Sequence, residues 1–203
     1  MSLEARIFTV GEKVASIARR LPALGYKFKR PSAVYPGPEP GTENAIARIE
    51  REIGILPLAV KVFWRLIGSV DLTAHYRTWH PVEYPWGGCE YPDPLVVYPP
   101  SAAIEELDQF LEDREERIRC ASPFILPIAP DDIHKDNVSG GMWYNISVPA
   151  VADDPPLNDE WHQTTFVDYL ELAARWGGFP GLERCAEHDW PLHEIVRGPA
   201  NER

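Results

Sequence analysis

Asp131, Asp132, His134 and Asp136 crowd carboxylates and an imidazole into one short stretch, and they are the best enzymatic candidates in this sequence. Such a group can hold a divalent cation and lower the pKa of its bound water, which is the chemistry of a metal-dependent hydrolase. The pattern argues against that reading. The stretch lacks the alternating acids, glycine and terminal Glu of a calcium loop, and Lys135 puts a positive charge among the ligands. Turn chemistry accounts for it more simply, since Asp and Asn side chains bond their own backbone in tight loops. Cys185 with His188 and His193, and His75 with His80 and Cys89, offer soft ligands, but neither set contains the short Cys-x2-Cys pair usual in zinc sites. Ser139 precedes Gly140 without a G-x-S-x-G elbow, and no cysteine sits in a recognised nucleophile context. Gly140 and Gly141 lead into a strand and Gly177 and Gly178 follow a helix, so neither pair builds a phosphate-binding helix start. No motif announces a reaction, and we expect no catalytic residue, no metal and no cofactor.

The acids lie in a polar loop, 129–141, between strand-like runs at 124–128 and 142–148, so an antiparallel pair should carry them. Pro127 suits an edge strand. The organising stretch lies upstream, at 46–71. Ile46, Ile49 and Ile53 recur at helical spacing, Gly54 supplies the left-handed turn that ends this helix, and Pro57 is pre-set for the first turn of the next. There Leu58, Val62 and Leu66 form one stripe, widened by Phe63 and closed by Gly68. Such a pair must lie against a sheet or further helices.

Before it, Leu3, Ile7, Val10, Val14, Ile17 and Leu21 make a near-heptad stripe on a helix over 3–21. That stripe either docks on its own domain or forms a dimer seam, and the basic face of the helix can cover part of an acidic body. Residues 31–41, PSAVYPGPEPG, read as a semi-rigid extended connector, after which Thr42 is placed to cap the helix that follows. Further strands are expected at 69–74 and 95–98. Ser101 is placed to cap a helix over 102–119, with Glu105 and Glu106 near its start, Arg117 and Arg119 near its end, and Ile104, Leu107, Leu111 and Ile118 inward. Thr165 caps a last helix with Phe166, Leu170 and Ala173 inward, ended by Gly177 and Gly178. From 182 onward periodicity fades, and the final residues are expected to be disordered.

With 203 residues the chain can bury a full core, and its 21 prolines, about twice the usual share of roughly 5%, imply many short elements. The net charge of -11 opposes nucleic-acid binding, which needs a basic face, and favours a cationic partner. Residues 1–30 carry seven Lys or Arg against two Glu, or +5, so residues 31–203 carry -16 and the acidic field belongs to the body. Cys89, Cys120 and Cys185 are odd in number and far apart, as suits free thiols in a reducing cytoplasm. No apolar run of about 18 residues and no signal segment is present, so neither a membrane partner nor secretion is expected. Tyr76, Trp79, Tyr84, Trp86 and Tyr91 fill an irregular stretch at 75–91; such rings either form a recognition surface or a satellite core under a long loop.

An acidic residue before Gly54, two apolar residues, Pro57, then Phe63 and Gly68 resembles the signature of the SUKH superfamily, the domain shared by a fungal cell-wall assembly regulator and many bacterial toxin-immunity proteins. Asp93-Pro94-Leu95 before a strand and Thr165-Phe166 with Tyr169-Leu170 opening the last helix are similar to the layout of that family. The resemblance spans roughly 43–178 and departs from the family in the aromatic insertion after Asp71 and the long 129–141 loop. It implies an α+β fold: a mostly antiparallel mixed sheet flanked by helices, with a helix and connector at 1–41, the SUKH-like domain at 42–181 and a tail at 182–203. It also implies a non-enzymatic, immunity-like binding module whose acidic surface docks on a basic toxin domain; a regulatory scaffold without a toxin partner is the other family reading. Trp79, Trp86, Asp131 and Asp132 are expected to border the docking face, and a homodimer through the N-terminal helix is the further partner to consider.

Overall fold

Ser2 accepts a hydrogen bond from the Ala5 amide at 3.3 Å and so starts α1, Leu3–Arg20, where the near-heptad stripe requires a helix. The structure, a computed structural model, describes residues 1–74, 93–116, 123–135 and 141–183. Ile7, Val10, Val14 and Ile17 on α1 are buried, with Leu21 closing the helix, and they join one continuous apolar core that runs to Phe179. The stripe on which a helix-mediated dimer would depend therefore lies inside its own chain, against the helices at Leu58–Leu66 and Phe166–Arg175. Gly11 permits this approach: a Cβ there would sit 3.1 Å from the Ile67 side chain. The basic side of α1 does meet the acidic body, since Arg6 bonds Asp168 at 2.6 Å and Glu171 at 2.7 Å.

The connector is less extended than its prolines suggest. Pro31–Ala33 form a 3-10 turn, the Val34 carbonyl accepts from the Asp71 amide, and Gly37 lies directly against Gly68, where φ is +83°. A Cβ on Gly68 would come within 2.1 Å of the Gly37 carbonyl oxygen, so only glycine fits there. α2, Thr42–Glu52, and α3, Leu58–Leu66, form the expected helix pair, but two details differ. Gly41 takes the N-cap position of α2, and the Thr42 hydroxyl instead donates to the Glu39 carbonyl at 2.8 Å. α3 buries Ala59, Val60, Val62, Phe63 and Trp64, whereas Leu58 is half-buried and Leu66 is 46% exposed. α3 has two apolar faces, and packing chose the one with the rings, whose larger area gains more from leaving water.

Strands β1, Val70–Asp71, and β2, Val96–Val97, pair antiparallel, as do β3, Phe124–Ala129, and β4, Tyr144–Val148. The α+β class is as expected, but the described residues form two two-stranded ribbons rather than one mixed sheet. A single bond from the Tyr98 amide to the Ile128 carbonyl, 2.8 Å, links them. Pro99 and Pro100 follow at once and have no N–H to extend the ladder. Pro127 sits in β3 opposite Asn145, and the register shifts before Ala129.

α4, Pro100–Glu116, packs on α2 and β3, burying Ala103 and Leu107, while Phe110 meets Phe124 edge to face at 5.3 Å. Ser101 does not cap it. Its amide and hydroxyl both donate to the Glu39 carboxylate, at 3.2 and 2.9 Å, so an acid from the connector neutralises the positive start of α4. α6, Phe166–Arg175, is capped by Thr165 as expected, with Asp154 accepting from the Val167 amide as well; Gly177 and Gly178 follow with positive φ. Among the described residues no helix is long and apolar enough to cross a membrane. Arg117, Ile118, Arg119, the aromatic stretch 75–91, all three cysteines and the tail from 184 lie outside the described residues.

Candidate functional site

The acid-rich stretch folds as a one-turn helix, α5, Asp132–Lys135, and Asp131 is the residue that starts it. Its carboxylate accepts from the His134 amide at 2.6 Å, while its carbonyl accepts from the Lys135 amide at 3.1 Å. This is the turn chemistry expected of Asp in a tight loop. The His134 Nδ1 lies 3.0 and 2.9 Å from the two Asp131 oxygens. Because an ionised carboxylate only accepts, Nδ1 carries the proton and a neutral His134 keeps Nε2 as its acceptor. Gly141 closes the loop against the same carboxylate: a Cβ there would lie 1.6 Å from Asp131 Oδ2. Asp131 is thus buried and engaged within its own loop, not presented on the surface as expected, and Asp132 is half-buried, bonding the Ile133 amide at 3.0 Å. Among the described residues no three His, Cys, Asp or Glu side chains are grouped so as to hold a metal ion. Asp136, Trp79 and Trp86, with His75, His80, His188 and His193, lie outside the described residues.

Lys135, the cation that spoils the loop as a metal site, turns out to be its most consequential member. Its side chain is 0% exposed and pairs with Asp93, itself 1% exposed, directly before β2. Its ammonium also donates to the Tyr169 hydroxyl at 3.2 Å and stands 4.6 Å over the Tyr144 ring, while the Tyr144 hydroxyl reaches Asp93 Oδ2 at 3.4 Å. The two tyrosine rings meet edge to face at 5.9 Å. One buried ion pair therefore ties α5, the start of β2, β4 and α6 together. Burial pushes the Asp93 carboxyl up, and Lys135 opposes that shift. Burial and then the Asp93 charge push the phenols of Tyr144 and Tyr169 up as well, so both stay protonated, Tyr144 donating to Asp93 and Tyr169 accepting from Lys135. Close by, Glu160 is buried and accepts from the His162 amide at 3.0 Å and the Thr164 hydroxyl at 3.2 Å, fixing the turn before α6.

This hub has ligands for its own charges and offers them to one another. Sequence reasoning missed Asp93, Lys135, Tyr144 and Tyr169 as a unit; the signal available was a lone lysine inside an acidic loop and an Asp held just before a buried strand.

The exposed electrostatics lie elsewhere. Glu105, Asp108 and Glu112 are exposed at helical spacings of three and four on α4, so they share one face. Asp108 pairs with Arg48 of α2, whereas among the described residues no cation pairs with Glu105 or Glu112. Glu106 and Asp113 add charge beside them, and burial together with Asp113 pushes the Glu106 carboxyl up. Comparison of the chain with protein-family models, with curated proteins and with solved structures gives no match.

Proposed function

We propose that the chain is a non-enzymatic binding module that recognises a cationic protein domain through the acidic face of α4, in the manner the resemblance to immunity proteins implies. The observation that carries this reading is the exposed row of Glu105 and Glu112, with which no cation pairs among the described residues, beside the paired Asp108 on a single helix face. Carboxylates at this spacing on a rigid helix focus a negative field and raise the encounter rate with a basic surface. The hub of Asp93 and Lys135 supports the same reading from the other side, because a fully paired, enclosed charge set suits scaffolding better than turnover. The partner is a basic toxin-type domain whose site the module occludes, and the protein acts in the cytoplasm.

The test is association kinetics with a cationic protein that co-purifies with the full chain. Raising salt should slow association with little change in dissociation, and the E105Q/E112Q variant should lower the association rate by on the order of 10-fold and flatten its salt dependence. Association that ignores both salt and these two charges would sink the proposal.

A further inference from the structure

From Lys13 to Pro38 the chain holds six Lys or Arg and no Asp or Glu, in a protein whose net charge is -11. The fold brings Arg19, Arg20, Lys27, Lys29 and Arg30 to the C-terminal end of α1. At Gly25, where φ is +86°, the chain doubles back, and the Tyr26 amide returns to the Leu21 carbonyl at 3.1 Å. Ala18 and Arg19 of α1 then line one concavity with Phe28 and Pro31, so the run 26–30 lies alongside the last turns of the helix. Phe28 pairs across to Ala74 and packs its ring on Tyr26, and Lys27 and Lys29, one residue to either side, point the other way, into solvent. Among the described residues no acid pairs with Arg19 or Lys27, and Arg30, which bonds Asp71 at 2.7 Å, keeps 62% of its side chain exposed.

The negative end of the α1 dipole accounts for Arg19 and Arg20 in its last turn, but not for Lys27 and Lys29 beyond it. The flanking acids do not balance them: Glu12 lies about two turns back from Arg19 on α1, and Glu39 is taken by Ser101 at the start of α4. Exposed cations in excess on an acidic protein attract an anion, and the surroundings say of what kind. A nucleic-acid strand needs open ring faces on which its bases stack; here Tyr26 is buried, held edge to face by Phe28 at 5.2 Å and Phe179 at 5.4 Å. An anionic bilayer extends past the basic end and meets the like charge of the body, -16 over residues 31–203. A short acidic peptide covers the basic end alone.

We propose that the basic end formed by Arg19, Lys27, Lys29 and Arg30 is a docking surface for a short acidic peptide segment of another protein. It uses none of the α4 carboxylates and stands apart from the cationic partner proposed for them. The test is fluorescence anisotropy of the full chain with a labelled oligo-glutamate peptide. The wild type should bind at low salt and lose affinity as salt rises. R19E/K27E should raise the dissociation constant by about 10-fold or more with the thermal melt preserved, and the milder R19Q/K27Q should move it in the same direction. R51E/R114E makes the same change in net charge at exposed positions on α2 and α4, and should move it by about 2-fold or less. Absence of peptide binding at low salt overturns the proposal, as does a loss in R19E/K27E no larger than that in R51E/R114E. So does tighter binding of a single-stranded oligonucleotide or of phosphatidylserine vesicles than of the peptide. Salt-sensitive self-association that E105Q/E112Q abolishes overturns it too, because the occupant is then a second copy.

Discussion

Lys135 shows how one side chain can carry more structural information than the loop around it. An ammonium at 0% exposure has no water to solvate it, so its contacts with Asp93 and Tyr169 and its place over the Tyr144 ring replace hydration. Substituting Lys135 by Met should therefore cost about 3–5 kcal/mol in urea unfolding, because it strands the Asp93 carboxylate in the interior. D93N/K135M should recover much of that loss, since neither charge then remains. The sign of the pH dependence follows from burial. Asp93 already has its carboxyl raised, and without Lys135 it rises further, so the folded form of K135M prefers the protonated acid. The deficit of K135M relative to wild type should be small at acid pH, below the ordinary carboxylate value of 3.8, and should grow as pH rises through the raised value. A deficit constant across that range would mean the carboxylate is not the stranded charge. The neighbouring Gly141 makes a steric prediction: G141A drives a methyl into the Asp131 carboxylate, and should loosen α5 and with it the hub.

Among elements, helix starts are where distant parts of the chain are joined. α4 begins on two prolines and receives the Glu39 carboxylate from the connector, 62 positions away. E39A should lower stability by about 1 kcal/mol, as loss of an N-cap does, although Glu39 belongs to another element. T165A should cost a similar amount at α6, where the capping residue is local and Asp154 shares the task. Gly68 joins the end of α3 to the connector at backbone contact, and G68A should cost more than about 1 kcal/mol, since both the positive φ and the Gly37 carbonyl oppose a side chain. Thermal melts of these variants measure all three. The element ranges were largely legible in the residues: the α1 stripe, the glycine stops after α2 and α3, and the Thr165 cap all stand where spacing and capping chemistry put them. What spacing did not resolve is α3, which offers two apolar faces of similar periodicity. Of the expected core stripe, Val62 and the Phe63 that widens it are buried, while Leu58 is half-buried and Leu66 is 46% exposed, because the ring-bearing face outcompetes them for the interior.

At the scale of the whole molecule, charge and shape divide the surface into two regions. The acidic body, at -16 over residues 31–203 against +5 over 1–30, meets its own basic helix where Arg6 bridges to Asp168 and Glu171. Screening those exposed pairs should cost little stability, about 0–1 kcal/mol each, so R6A should change the melting temperature only slightly in salt or without it. If the proposed cationic partner docks on α4, salt should act instead on that encounter, since among the described residues no cation pairs with Glu105 or Glu112.

By itself the sequence determined the class and order of the elements, their caps and stops, and the acidic sign of the field, because each of these depends on side-chain period, local capping or summed charge. Only the tertiary structure decided which groups meet: Asp93 with Lys135 across 42 positions, Glu39 with Ser101 across 62, Phe8 beside Leu66. Those meetings depend on which of several equally apolar faces reaches the core first in free energy, and on which charge is left inside when it does, and neither is written in the spacing of residues along one strand or helix.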